Sequence, residues 1–164
     1  MIFKKSVFAV ASLLTVSCTL LSAGGASAQE KTSYVGLSLS SIGGTTFYGV
    51  NSKFKVADSI SARPFFQFAS ASSGSTSATL SVYGASATYD FSLPSTQFAP
   101  YAGIGYLGAS LSATGPGGSG SINLGSGIYF EAGTDYNITD SIALNANYKF
   151  KDNGYFSFGG AYRF

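Results

Sequence analysis

The chain has no histidine, no tryptophan and one cysteine, and only 10 % of its 164 residues are charged. An average soluble domain carries roughly 25 % charged residues. Each shortage excludes something. Without histidine there is no Ser–His pair, and the commonest general base and metal ligand is missing. The lone cysteine, Cys18, rules out a disulfide framework. Nine basic residues are scattered along the chain and form no patch, which excludes a nucleic-acid binder. Low charge beside 15 % aromatics is the opposite of a disordered composition. What is abundant is glycine (21 residues), phenylalanine (14) and tyrosine (11). These are poor helix choices, and the aromatics favour strands. The composition describes an all-β protein with an unusually apolar exterior.

Residues 1–28 read as a secretory signal peptide that is cleaved, leaving 29–164 as one domain. Lys4 and Lys5 form the positive start, Val7 to Leu21 is apolar, and Ala26-Ser27-Ala28 is a small-residue cleavage site. Thr15 stands where a lipoprotein signal usually carries Leu, so Cys18 fits a lipid-acceptor site poorly. Removing this segment leaves seven basic residues against seven acidic ones.

The rest of the chain has no apolar run long enough for a membrane helix. It alternates with period two between Gly, Asp, Asn, Ser and Pro clusters. The pattern predicts eight strands, at about 33–40, 45–57, 60–69, 76–91, 97–112, 122–138, 141–151 and 155–164. In the sixth, Ile122, Leu124, Ile128, Phe130, Ala132, Tyr136 and Ile138 share one face. In the eighth, Phe156, Phe158, Tyr162 and Phe164 alternate with Ser157, Gly159, Ala161 and Arg163. The fifth strand, around Pro100-Tyr101-Ala102-Gly103, allows either parity.

The alternate face is mostly Gly, Ser, Ala and Asn. Facing water, such a sheet would be poorly solubilised. In a membrane barrel the assignment inverts: large apolar residues meet lipid, and small or polar ones fill the lumen. The expected fold is therefore an eight-stranded antiparallel up-and-down transmembrane β-barrel. Tyr89, Phe91, Phe98, Tyr101, Tyr136, Tyr148, Phe150, Tyr162 and Phe164 are placed in interfacial aromatic girdles. Surface loops are expected at Ser41–Gly44, Ser70–Ser75, Ala113–Ser121 and Asp152–Gly154.

Parity puts Lys53, Lys55, Arg63, Lys149 and Arg163 in the lumen, with Glu131, Asp135 and Asp90, a basic-leaning interior. Lys53 falls opposite Arg63, which demands an acid or water between them. Glu131 falls opposite Lys149 if the sixth and seventh strands are joined by Thr139-Asp140-Ser141, and opposite Asn147 if they are joined by Ile138-Thr139-Asp140.

Three stretches carry a family resemblance. They are Tyr136 to Leu144 with Tyr148-Lys149-Phe150, the run Pro100 to Tyr106, and the closing Tyr162-Arg163-Phe164. Together they resemble the small outer-membrane β-barrel superfamily, meaning the opacity-type proteins and the membrane domain of OmpA. The resemblance implies a Gram-negative outer membrane, reached by export through the periplasm. It implies lipid as the surrounding partner and insertion by the barrel-assembly machinery, for which Phe156, Phe158, Tyr162 and Phe164 form the signal. The surface loops are shorter than those of opacity-type adhesins, and OmpA's peptidoglycan-binding domain has no counterpart.

The functional expectation is a non-enzymatic, monomeric envelope barrel with a structural role. The alternatives are a narrow porin-like channel for small solutes and a soluble secreted barrel holding an apolar ligand. No cofactor or metal is expected. Glu131 and Asp135 lie roughly 13 Å apart by strand rise, too far for a glycosidase pair. The other acids are dispersed: Asp58 and Asp140 fall in turns, and Asp152 in a loop.

Overall fold

A computed structural model of the chain describes residues 32–93, 97–151 and 154–164. The proposed signal segment and Asp152 lie outside the described residues. Eight strands run in order: β1 (Tyr34–Ile42), β2 (Thr45–Ala57), β3 (Ile60–Ser73), β4 (Thr76–Asp90), β5 (Phe98–Gly115), β6 (Gly118–Asn137), β7 (Ile142–Phe150) and β8 (Tyr155–Arg163). Each pairs antiparallel with its sequence neighbours, and β1 pairs with β8, closing the barrel. Closure leaves no sheet edge around the wall. Past β8, the Phe164 amide donates to the Ser33 carbonyl at 3.1 Å, so the seam extends to the last residue.

The alternation sorts side chains to the two faces. Leu37, Tyr48, Ile60, Tyr83, Ile104, Ile128, Leu144 and Phe158 point outward and are exposed. Aromatic pairs mark the rims: Tyr89 with Phe91, Phe98 with Tyr136, and Tyr148 with Phe150, their ring centroids 4.7–5.1 Å apart. An outside this apolar fits lipid and not water.

Two details differ from the sequence expectation. The surface loops are shorter, because β3 to β6 run on to two-residue connections at 74–75 and 116–117. A bulge at Leu124, beside Gly125 (φ +109°), shifts the β5–β6 register. Ile122 consequently lies opposite Leu111, on the lumen side, and does not share the face of Ile128 and Phe130. Of the two β6–β7 registers, the structure takes the one joined by Thr139-Asp140-Ser141, with Glu131 opposite Lys149.

Two inward glycines make room for rings. A Cβ on Gly105 would lie 2.6 Å from the Tyr129 ring, and one on Gly133 2.7 Å from Tyr101. A larger residue must displace a buried aromatic. Gly105→Val is expected to lower unfolding stability by about 1–3 kcal/mol, measured by urea titration of the barrel in lipid; an unchanged midpoint would contradict this packing.

Candidate functional site

The inward side chains stack in two layers. The first lies at the end of the barrel where β1 begins and β8 ends. There β2 contributes Lys53, β3 Arg63, β4 Asp90 and β6 Asp135, all facing the axis. Lys53 Nζ lies 2.9 Å from Asp90 Oδ2 and 3.3 Å from Asp135 Oδ2. Arg63 Nη2 lies 3.3 Å from Asp90 Oδ1 and 2.9 Å from Asp135 Oδ2. Both cations thus share both carboxylates, and the juxtaposition of Lys53 with Arg63 is resolved by two acids. The network then reaches neutral partners. Arg63 donates through Nη1 to Tyr34 Oη at 2.7 Å and through Nε to Thr88 Oγ1 at 3.1 Å. Asn145 Nδ2 donates to Asp135 Oδ1 at 2.7 Å and to Tyr101 Oη at 2.9 Å. Ser61 Oγ donates to Asp90 at 2.5 Å. The Arg63 guanidinium also stacks 3.4 Å from the Tyr101 ring centre, a cation–π contact made stronger by desolvation.

The second layer begins with Glu131 and Lys149, a pair 3.8 Å apart. Ser86 Oγ donates to Glu131 Oε1 at 2.5 Å, and Lys149 Nζ donates to Asn147 Oδ1 at 2.8 Å. The Lys149 ammonium faces the Phe65 ring at 4.7 Å and the Tyr155 ring at 5.4 Å. Beyond it Phe47, Phe65, Val82, Leu107, Tyr129 and Tyr155 form one buried apolar cluster inside the barrel. Phe65 meets Tyr129 edge-on at 6.0 Å. The Gln67 amide bridges Ser38, Ser40 and Ser157 across the lumen.

Between the layers lies a cavity of about 20 Å³, lined by Tyr34, Arg63, Tyr101, Glu131, Asn145 and Lys149 among others. That is room for one water.

The structure therefore brings Lys53, Arg63 and Asp135 together in one network and Glu131 with Lys149 in another. Arg163 is only half-buried, at the mouth, opposite Tyr34. Lys55 is likewise half-buried. The expected basic lean is confined to that mouth, because the ion-paired charges of the interior balance, Lys53, Arg63 and Lys149 against Asp135, Glu131 and the half-buried Asp90. Phe156, Phe158 and Tyr162 point outward on the closing strand.

Tyr101 corrects the girdle assignment. It is 2 % exposed and lies under Arg63, because β5 takes the parity that turns Tyr101, Gly103, Gly105 and Leu107 inward. The inward Tyr34, Phe47, Phe65, Tyr129 and Tyr155 were also not anticipated. Parity was the available signal: each lies an even number of residues from an inward polar residue on its own strand.

An outer membrane protein beta-barrel domain model matches residues 13–164. The chain belongs to that family. Among solved structures it is similar to Ail, the attachment invasion locus protein of Yersinia pestis, at 15 % identity, covering 80 % of this chain and 96 % of that one, with a TM-score of 0.58. It is similar to the N-terminal β-barrel of Pseudomonas aeruginosa OprF at 14 % identity, 80 % and 96 % coverage, and a TM-score of 0.58. Neisserial surface protein A gives 19 % identity, 80 % and 94 % coverage, and 0.58. No curated protein matches the sequence. At these identities the structural likeness speaks to the fold.

Removing one member of a shared ion cluster leaves a buried charge uncompensated. Arg63→Ala and Asp135→Ala are each expected to cost about 3–5 kcal/mol of unfolding stability. The double variant keeps Lys53 with Asp90 and should cost clearly less than the sum. Additive losses in a double-mutant cycle would show that the two residues do not share one network.

Proposed function

We propose that this family member is a non-enzymatic structural barrel of the outer membrane whose lumen is closed to solutes. The observation that carries the reading is the filled interior: a balanced ion network in series with an apolar aromatic layer, with a cavity of about 20 Å³ between them. Eight strands enclose a space that side chains can just fill, and here large ones fill it. A narrow channel is the weaker reading, since a solute would have to displace Tyr129, which is 0 % exposed, and part the Arg63–Asp135 pair. A soluble barrel is disfavoured by the outward rows of Leu, Ile, Phe and Tyr.

The catalytic side of the reading rests on chemistry. No imidazole is present in the chain. The buried carboxylates are each held by a cation, as in Asp135 with Arg63, so none is placed to act as a free base. In the membrane the barrel would stand alone, with lipid against its apolar belt, both chain termini facing the periplasm and the hairpins at 74–75 and 116–117 facing outward.

Planar-bilayer recording tests the closure. The wild-type barrel should give no steady single-channel current, while a variant that opens both layers, Phe65→Ala/Tyr129→Ala combined with Arg63→Ala/Asp135→Ala, should give measurable conductance. A stable wild-type channel would overturn the reading. Assembly gives a second test. Phe164 seals the β1–β8 seam through its backbone, and its ring lies at the rim, where aromatics are favoured. Deleting Phe164 is expected to lower folded barrel in cells sharply while the purified variant still folds in detergent. Normal membrane levels would remove its role as an assembly signal.

A further inference from the structure

Seven of the eight ladders join strands that are consecutive in the chain and stay tethered by the connection between them. The eighth, β1 with β8, joins the two ends of the domain, and no connection holds its strands together when the ladder parts. Pairing them closes the longest loop in the barrel, the costliest in chain entropy. Both strands are also short, 9 residues each, whereas β5 and β6 have 18 and 20 and rise past the rest of the wall as a projecting sheet.

Side chains on the seam do little to hold it. On the lumen side β1 presents Gly36, Ser38 and Ser40, and β8 presents Ser157, Gly159 and Ala161. The ion pairs join β2, β3, β4 and β6 in one cluster and β6 with β7 in the other, and none among the described residues has a member on β1 or β8. On the outside Leu39 lies opposite Phe158, an apolar contact that lipid tails can replace when the strands separate.

One side chain spans the seam from within. Gln67, on β3 and 1 % exposed, reaches past β2 to both closing strands. Its Nε2 donates to Ser40 Oγ at 2.5 Å and Ser38 Oγ at 3.4 Å, both on β1, and to Ser157 Oγ at 3.3 Å, on β8. Glycine clears the path. Gly49 of β2 lies directly opposite Gln67, and a Cβ there would come within 2.6 Å of Gln67 Cγ. Gly49 lies opposite Ser38 in turn, and Ser38 opposite Gly159.

Filling space does not explain an amide here. Gln67 Oε1 is buried without a hydrogen-bond partner, which carries a desolvation cost. An apolar side chain beside the neighbouring Val82 would fill the same volume without that cost. What the amide does hold is three buried hydroxyls from the two ends of the chain.

We infer that the β1–β8 ladder is where this barrel opens, and that Gln67 is the latch that holds it shut once the strands have paired. The three hydroxyls come together only after closure. An interaction absent until then slows opening and leaves the rate of closing unchanged.

Gln67→Met keeps the length and bulk of the side chain and removes the amide. In lipid vesicles the urea-driven unfolding rate of the purified variant, read by unheated-gel mobility, should rise about tenfold or more. Native-state hydrogen exchange should quicken in β1 and β8 while β4 and β5 keep their wild-type protection. Val35 and Tyr162 lie opposite each other across the outside of the seam. A Val35→Cys/Tyr162→Cys disulfide should abolish the effect of Gln67→Met, and reduction should restore it. Ser157→Ala, which removes only the β8 hydroxyl, carries the same expectations if the methionine variant does not fold. The inference is overturned by an unchanged unfolding rate, by exchange that quickens equally in every ladder, or by an effect that persists in the disulfide-closed barrel.

Discussion

A lumen walled by eight strands is too narrow to hydrate a charge, so every ionisable side chain turned inward must find its counter-ion among the other inward side chains. That constraint organises this barrel. Lys53 and Arg63 face each other across β2 and β3, an arrangement that could not persist alone. Asp90 and Asp135 arrive from β4 and β6 and lie within 3.3 Å of both cations. The closed topology is what allows residues from four strands to meet on one axis, and the cluster in turn ties those strands together.

The remaining interior follows from the same requirement. Lys149 pairs with Glu131 and is roofed by Phe65 and Tyr155, so its ammonium is covered by an acid on one side and aromatic faces on the other. The aromatic layer above it needs space, which the wall supplies with glycine at 105 beside Tyr129, as glycine at 133 makes room for Tyr101 in the ion layer. The inward side chains leave a cavity with room for a single water. Closure of the lumen is a property of this packing as a whole.

The fold was legible from alternation alone. Eight runs with large apolar residues on one face and small or polar ones on the other admit few architectures, and strand limits such as Thr45–Ala57 fell at the observed positions. Lys53, Arg63, Glu131, Asp135 and Lys149 could be turned inward by the same rule. Two physical effects hid the rest. Residue type draws Tyr101 to the girdle although its strand turns it inward, and it leaves Tyr129 and Tyr155 unplaced although they stand two residues from the inward Glu131 and Ser157. A bulge at Leu124 changes parity within one strand, which no fixed alternation can anticipate. The Glu131–Lys149 pair was legible as a ladder neighbour, whereas the partners of Lys53 and Arg63 were not, since Asp135 meets Lys53 across the lumen and not along a ladder.

The central claim is that side chains close the lumen. Ser157 lies in it at 1 % exposure, whereas Ser112 stands exposed on the projecting sheet. Single-cysteine variants Ser157→Cys and Ser112→Cys, treated in intact membranes with a small membrane-impermeant thiol reagent, compare the two directly. The account predicts rapid labelling at position 112 and none at 157 until the barrel is unfolded. Labelling of both at similar rates in the folded protein would contradict it.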